Sequence, residues 1–189
     1  MLKKLCLFIF RLTGWKFVSE VPDDLRSFVF IGAPHTSNFD FIPAMSMAEN
    51  MKRNARFVIK NDWMKFPFSL LFKPAGAIGI DREKLKGAKG NTTGVFAELF
   101  KQHSELVLMI SPEGTRSPNP NWKTGFYYIA EKAGVPIVCG FADYATKRAG
   151  MGLVVNPTNF EEDMKKITEF YRDIKGKNPA NFVLDSRFK

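Results

Sequence analysis

Apolar residues gather in six short runs: SFVFIGA (27–33), ARFVIK (55–60), GAIGI (76–80), LVLMIS (106–111), VPIVCGF (135–141) and LVVN (153–156). Each is short, rich in β-branched or aromatic residues and bounded by turn formers, the pattern of strands rather than helices. Between them lie longer stretches with helical spacing: FDFIPAMSMAENMKR (39–53), GNTTGVFAELFKQH (90–103), GFYYIAEKAG (125–134) and FEEDMKKITEFYRDIKG (160–176). Strand and helix alternate, so the pattern predicts a single-domain, layered α/β fold with a mostly parallel central sheet covered by helices. The Pro- and Asn-rich SPNPN (117–121) reads as a loop inside that domain, and no repeat or linker interrupts it.

The first segment, MLKKLCLFIFRLTGWKF, reads differently. On a helical wheel Lys3, Lys4 and Arg11 share one narrow face and Leu5, Phe8, Ile9 and Leu12 cover the other side, giving a basic amphipathic helix. Residues 1–20 are therefore set apart as this helix, with 21–189 as the main domain. Two readings of the helix stand: packing on the domain's own core, or contact with a membrane surface. Its apolar part is interrupted by Arg11 and no small-residue cleavage site follows, which argues against a signal peptide. No apolar run approaches the roughly 18 residues of a spanning helix.

Charge sharpens the choice of partners. Lys and Arg number 28 against 19 Asp and Glu, a net charge of +9, and 19 phenylalanines accompany them. Basic and apolar surface together suit an anionic membrane or a lipid, although nucleic acid also accounts for the charge alone. The two cysteines, Cys6 and Cys139, lie far apart in apolar surroundings, which is neither a disulfide framework nor a metal cluster and fits a reducing cytosol.

Ligands of open α/β sheets gather at the carboxyl ends of strands, and two polar motifs sit there. PHTSNFD (34–40) follows the first strand run and SPEGTRS (111–117) the fourth. Five positions apart on one helix, His35 and Asp40 would be about 140° apart, so the strand must end in a loop at His35 with the helix starting just after it. Ser37 and Asp40 then form a Ser-x-x-Asp capping box. One reading stops at the cap. In the other, His35 curls back over the first turn, Asp40 fixes its tautomer, and the second ring nitrogen serves as a general base. SPEGTRS places Glu113, Gly114, Thr115 and Arg116 together at a strand end, where Gly114 lets the backbone turn so that its N–H groups and the Arg116 fork can face an oxyanion or phosphate, an anion or polyol site, or else the stretch is a Pro-Glu-Gly turn with an exposed arginine. Asp81 and Arg82, in GAIGIDRE, taken alone read as a surface ion pair. His103, in KQHSEL, reads as a solvated helix residue. No Gly-x-Ser-x-Gly elbow is present, against a serine esterase.

Together these blocks resemble the glycerolipid acyltransferase family, typified by 1-acyl-glycerol-3-phosphate (lysophosphatidate) acyltransferases. His35 to Asp40 corresponds to its His-x4-Asp block, with Ser37 in register. Gly76 to Arg82 corresponds to its Gly-containing strand ending in Asp-Arg, preceded by IKNDWMKFP with Lys60 at the lysine. Pro112 to Ser117 is its intact Pro-Glu-Gly-Thr-Arg-Ser, and Val135 to Val138 its Val-Pro-Ile-Val. Pro34, Ser111 and Gly79 depart from residues common in the family, which bears on the acceptor more than on the reaction.

The resemblance implies an O-acyltransferase moving a fatty acyl group from acyl-CoA or an acyl carrier protein to a lysophospholipid hydroxyl, with no covalent acyl-enzyme. His35 would be the base and Asp40 its orienting group. Glu113 would hold acceptor hydroxyls, Arg116 with Arg82 would neutralise a phosphate or other anionic head, and Gly114, Thr115 and Lys60 would complete the substrate-binding set. No metal and no further cofactor is implied. The expected partners are an anionic membrane surface, the lysophospholipid acceptor and the thioester donor, not nucleic acid, with the protein peripheral on the cytoplasmic face. An acceptor other than 1-acyl-glycerol-3-phosphate, such as an amino-acid-containing lipid, is the alternative. A non-catalytic basic module explains the charge but not the ordered motifs.

Overall fold

Seven strands, β1 (Lys16–Ser19), β2 (Phe28–Gly32), β3 (Ala55–Lys60), β4 (Ala77–Ile80), β5 (Val107–Ile110), β6 (Ile137–Asp143) and β7 (Arg148–Val155), join in one sheet. Their order is β1-β7-β6-β2-β5-β3-β4 in a computed structural model that describes residues 2–80 and 92–189. Strands β2 to β6 pair in parallel, while β7 is antiparallel to β6 and carries β1 beside it. The α/β class and mostly parallel sheet expected from the alternation are what the chain forms.

The inner strands are near-continuous apolar runs because both faces are covered. Phe28 and Phe30 of β2 point into one core with Val107 and Met109, and Val29 and Ile31 into the other with Leu108 and Ile137. The first core is roofed by α1 (Leu2–Leu12) and α2 (Phe41–Asn50), joined by the short α3 (Ser69–Phe72). The second is roofed by α4 (Thr92–Gln102), α5 (Gly125–Ala133) and α6 (Phe160–Phe170). Cys6 and Cys139 are free, buried thiols, one in each core.

The amphipathic reading of 1–20 as one helix needs correction. Helix α1 ends at Leu12; Gly14, at φ +80, turns the chain, and Lys16 to Ser19 add to the sheet edge as β1. Strand β7 also extends five residues earlier than LVVN suggests. Glycines 150 and 152 hide it, because they lower strand propensity, yet a Cβ at Gly150 would collide with Val18 O of the neighbouring strand. His103 lies just past the end of α4 rather than within it. Among the described residues no helix is long and apolar enough to cross a membrane.

Parallel pairing directs the carboxyl ends of β2 to β6 to one edge. There Tyr171, fully buried, donates its hydroxyl toward Ile31 O at 2.8 Å and Gly140 O at 3.0 Å, tying β2 to β6 just before the first polar motif. Removing it leaves buried carbonyls without that donor. Tyr171→Phe is expected to lower stability by about 1–3 kcal/mol at an unchanged m-value in urea unfolding. A change below about 0.5 kcal/mol would show that the hydroxyl is not a structural tie.

Candidate active site

The cap expected in PHTSNFD forms, and the carboxylate that closes it stands beside His35. Ser37 Oγ accepts from Phe39 N at 3.2 Å, and the Asp40 carboxylate takes Ser37 N in return, completing the capping box that opens the 38–40 turn and α2. The same Oδ2 takes Thr36 N at 2.7 Å and Ser37 N at 2.8 Å, and stands 3.2 Å from His35 Nδ1. Cap and pair are built by one carboxylate. Asp40 is buried, whereas the His35 side chain keeps 32% of its surface exposed, so the imidazole is backed by the fold and open in front.

Glu113 supports His35 from the neighbouring strand end. Its Oε2 accepts the His35 backbone N–H at 2.7 Å, and its residue surface is only 2% exposed. Burial, and the negative Asp40 nearby, raise its pKa to about 8 despite that hydrogen bond. That shift favours the protonated acid of Glu113 at neutral pH. Gly114 follows at φ +66, where Lys123 methylenes lie so close that a Cβ would meet Cδ at 2.9 Å. Glycine is thus required by backbone and by space alike. Lys123 N to Pro112 O (2.8 Å) and Asn119 Nδ2 to Glu113 O (2.8 Å) close the loop, leaving Thr115 and Arg116 exposed at its rim.

The strand edge therefore gathers His35, Asp40, Glu113, Gly114, Thr115 and Arg116. Lys60 ends β3 on the same edge, although its side chain, like the whole of Arg82, lies outside the described residues. Motif reading missed three supports. Tyr144 Oη donates to Asp40 Oδ1 at 2.9 Å, Asn178 grips Thr36 through N to Oγ1 (3.1 Å) and Nδ2 to O (3.0 Å), and Lys123 brings a cationic side chain over Gly114. Tyr144 and Asn178 reach the loop from over 100 positions away, and no local pattern announces that. Two of the departures noted in the sequence have neighbours that explain them. A Cβ at Gly79 would strike Met64, so its absence lets the 61–64 turn pack on β4, and Pro34 faces Gly176 of the Asn178 segment.

A strand-end histidine backed by a buried carboxylate, beside a glycine turn with an exposed arginine, has the chemistry to accept a proton next to an anionic group. A family model described as Acyltransferase matches residues 21–140, more than half of the chain, and the protein belongs to this glycerolipid acyltransferase family. It is accordingly an acyltransferase. No curated protein sequence matches the chain.

Glu113 should be visible in stability. Its pKa is raised from 4.5 to about 8 on folding, so below about 4.5 both states hold the proton and the contribution is complete. As pH rises through that window the unfolded chain gives up the proton while the folded one keeps it. Stability then falls, at up to about 1.4 kcal/mol per pH unit, and levels off above about 8. Glu113→Gln, which mimics the protonated acid, is expected to flatten that slope in urea unfolding between pH 5 and 8 relative to the parent protein. Parallel slopes would contradict a neutral Glu113.

Proposed function

We propose that the protein transfers a fatty acyl group from an acyl thioester, acyl-CoA or acyl carrier protein, to a hydroxyl of a lysophospholipid. 1-Acyl-glycerol-3-phosphate is the acceptor that best fits, giving phosphatidate. The observation that carries this reading is His35 Nδ1 at 3.2 Å from the buried Asp40 carboxylate, on the edge that also presents Arg116. His35 Nε2 takes the acceptor's hydroxyl proton as its oxygen attacks the thioester carbonyl. Asp40 stabilises the imidazolium that forms, and the collapsing intermediate expels the thiolate, which recovers that proton. No acyl-enzyme forms, and the reaction uses no metal or bound cofactor.

Arg116, with Arg82 and Lys60, neutralises the acceptor's phosphate, and Thr115 lies at the same rim to meet its hydroxyls. Glu113 is assigned to hold the His35 backbone rather than acceptor hydroxyls, because it is buried and one oxygen is already used.

The acceptor resides in a bilayer, and the surface supplies a way to meet it. Helix α1 packs Cys6 and Phe10 into the core and turns Leu5, Phe8 and Leu12 outward, the last 75% exposed, with Lys4 and Arg11 beside them. A second apolar set, Trp63, Phe66, Phe68, Leu70 and Leu71, projects from the segment after β3, with Phe66 81% exposed. Apolar side chains mixed with basic ones suit the surface of an anionic membrane, here the cytoplasmic face, bound peripherally. Nucleic acid is not a partner in this reading, since its charge-seeking surface would not carry such apolar groups.

Mass spectrometry of products from a panel of lyso-acceptors tests the substrate assignment, with phosphatidate formed fastest; preference for an acceptor without phosphate would refute it. His35→Ala is expected to abolish transfer. Asp40→Asn is expected to lower kcat by about 10³-fold or more while the protein stays folded, since an amide oxygen still accepts Thr36 N and Ser37 N. Near-normal turnover of either would remove the pair from the mechanism.

For the membrane seat, Phe8→Ser combined with Leu12→Ser should sharply reduce binding to anionic vesicles, leaving turnover of detergent-dispersed acceptor intact. Unchanged vesicle sedimentation would exclude α1 as a contact.

A further inference from the structure

We infer that Tyr144 is a positioning residue for acyl transfer, fixing the plane of the Asp40 carboxylate so that Oδ2 faces His35. The inference rests on the reading of His35 and Asp40 as the reacting pair, and adds a residue that lies outside the 21–140 match.

The two oxygens of Asp40 are used unequally. Oδ2 receives Thr36 N and Ser37 N and faces His35 Nδ1, whereas Oδ1 receives the hydroxyl of Tyr144 at 2.9 Å. Bonds to one oxygen alone leave a carboxylate free to rock about its Cβ–Cγ bond. A donor on the other oxygen sets its plane, and with it the direction of the lone pair that meets the imidazole. A carboxylate that orients a catalytic histidine works by this geometry, so its own orientation matters as much as its charge.

Tyr144 is itself held in place. It follows β6 at the carboxyl edge, its N–H donates to Lys175 O at 2.9 Å, and Trp15 meets its ring edge-on at 4.8 Å between centroids. Lys177 Nζ lies 5.7 Å from the ring centre and 4.6 Å from that of Phe39, on the turn that carries Asp40. Half-burial and the negative Asp40 push the phenol well above its ordinary pKa, so it remains a donor through the working pH range. Trp15 in turn packs on Phe10 of α1 at 5.5 Å. The tyrosine is therefore held by its backbone hydrogen bond, the Trp15 ring and the Lys177 side chain, as a positioning group must be.

Tyr144→Phe removes the donor and keeps the ring contacts. In the full-length protein, assayed on 1-acyl-glycerol-3-phosphate in detergent with acyl-CoA, kcat is expected to fall about tenfold with both KM values unchanged. With only two histidines in the chain, His35 and His103, long-range ¹H–¹⁵N spectra of the imidazoles separate the roles. The His35 ring resonances should move in Tyr144→Phe and those of His103 should not. A merely structural tyrosine would lower the melting temperature without changing kcat or the His35 resonances, and that result would overturn the inference. Trp15→Phe, which loosens the brace without touching the hydroxyl, should move the His35 resonances in the same direction; unmoved resonances there would also count against it. His35→Ala is run alongside. If it is inactive while Tyr144→Phe is indistinguishable from the parent, only Tyr144 is wrongly assigned; if it remains active, the His35–Asp40 reading itself fails.

Discussion

The carboxylate of Asp40 accepts hydrogen bonds from Thr36 N, Ser37 N and Tyr144 Oη and stands against His35 Nδ1. Most of the site's construction serves those contacts. The backbone donors exist because the chain leaves β2 into a turn that a capping box must close, and the turn is fixed from outside by Glu113, Asn178 and Tyr144. A carboxylate buried alone would be costly; one that satisfies two orphan amides and a phenol is stabilised by the helix start it creates. The helix cap and the contact with His35 are thus one arrangement.

The charge balance follows from the same geometry. Two carboxyl groups, Asp40 and Glu113, lie close to His35 in a largely buried edge. Asp40 is surrounded by hydrogen-bond donors, whereas burial raises the pKa of Glu113 and favours its protonated form. Arg116 is exposed beside this pair, while Glu113 is buried.

Much of this was legible in the sequence because the decisive pieces are local. Strands β2 to β6 are apolar runs with turn formers at their ends, and His35, Ser37 and Asp40 lie within six residues whose spacing already demands a loop followed by a cap. The intact Pro112 to Ser117 block placed the second loop on the same edge. What was not legible is what the sheet topology brings together. Strand β1 hides behind the amphipathic pattern of α1, because Gly14 stops the helix in a stretch that remains basic and apolar. Strand β7 is masked by glycines that close packing demands. Tyr144 and Asn178 look unremarkable in their own neighbourhoods and acquire a role only where β6 and the chain after α6 return beside the His35 loop. Helix α1 packs Cys6 and Phe10 into the core, as one of its two readings expected, and leaves Leu5, Phe8 and Leu12 exposed.

In the proposed reaction His35, aligned by Asp40, takes the proton of the acceptor's hydroxyl while that oxygen attacks the thioester directly, with no acyl-enzyme between. Rapid-mixing measurement of thiol release from an acyl thioester, with and without lysophospholipid, tests it most directly when the protein is weighed by intact mass spectrometry at each time. No burst of thiol and no acyl adduct are expected without acceptor, and thiol release should match product once acceptor is added. A stoichiometric burst with an acylated protein would contradict it.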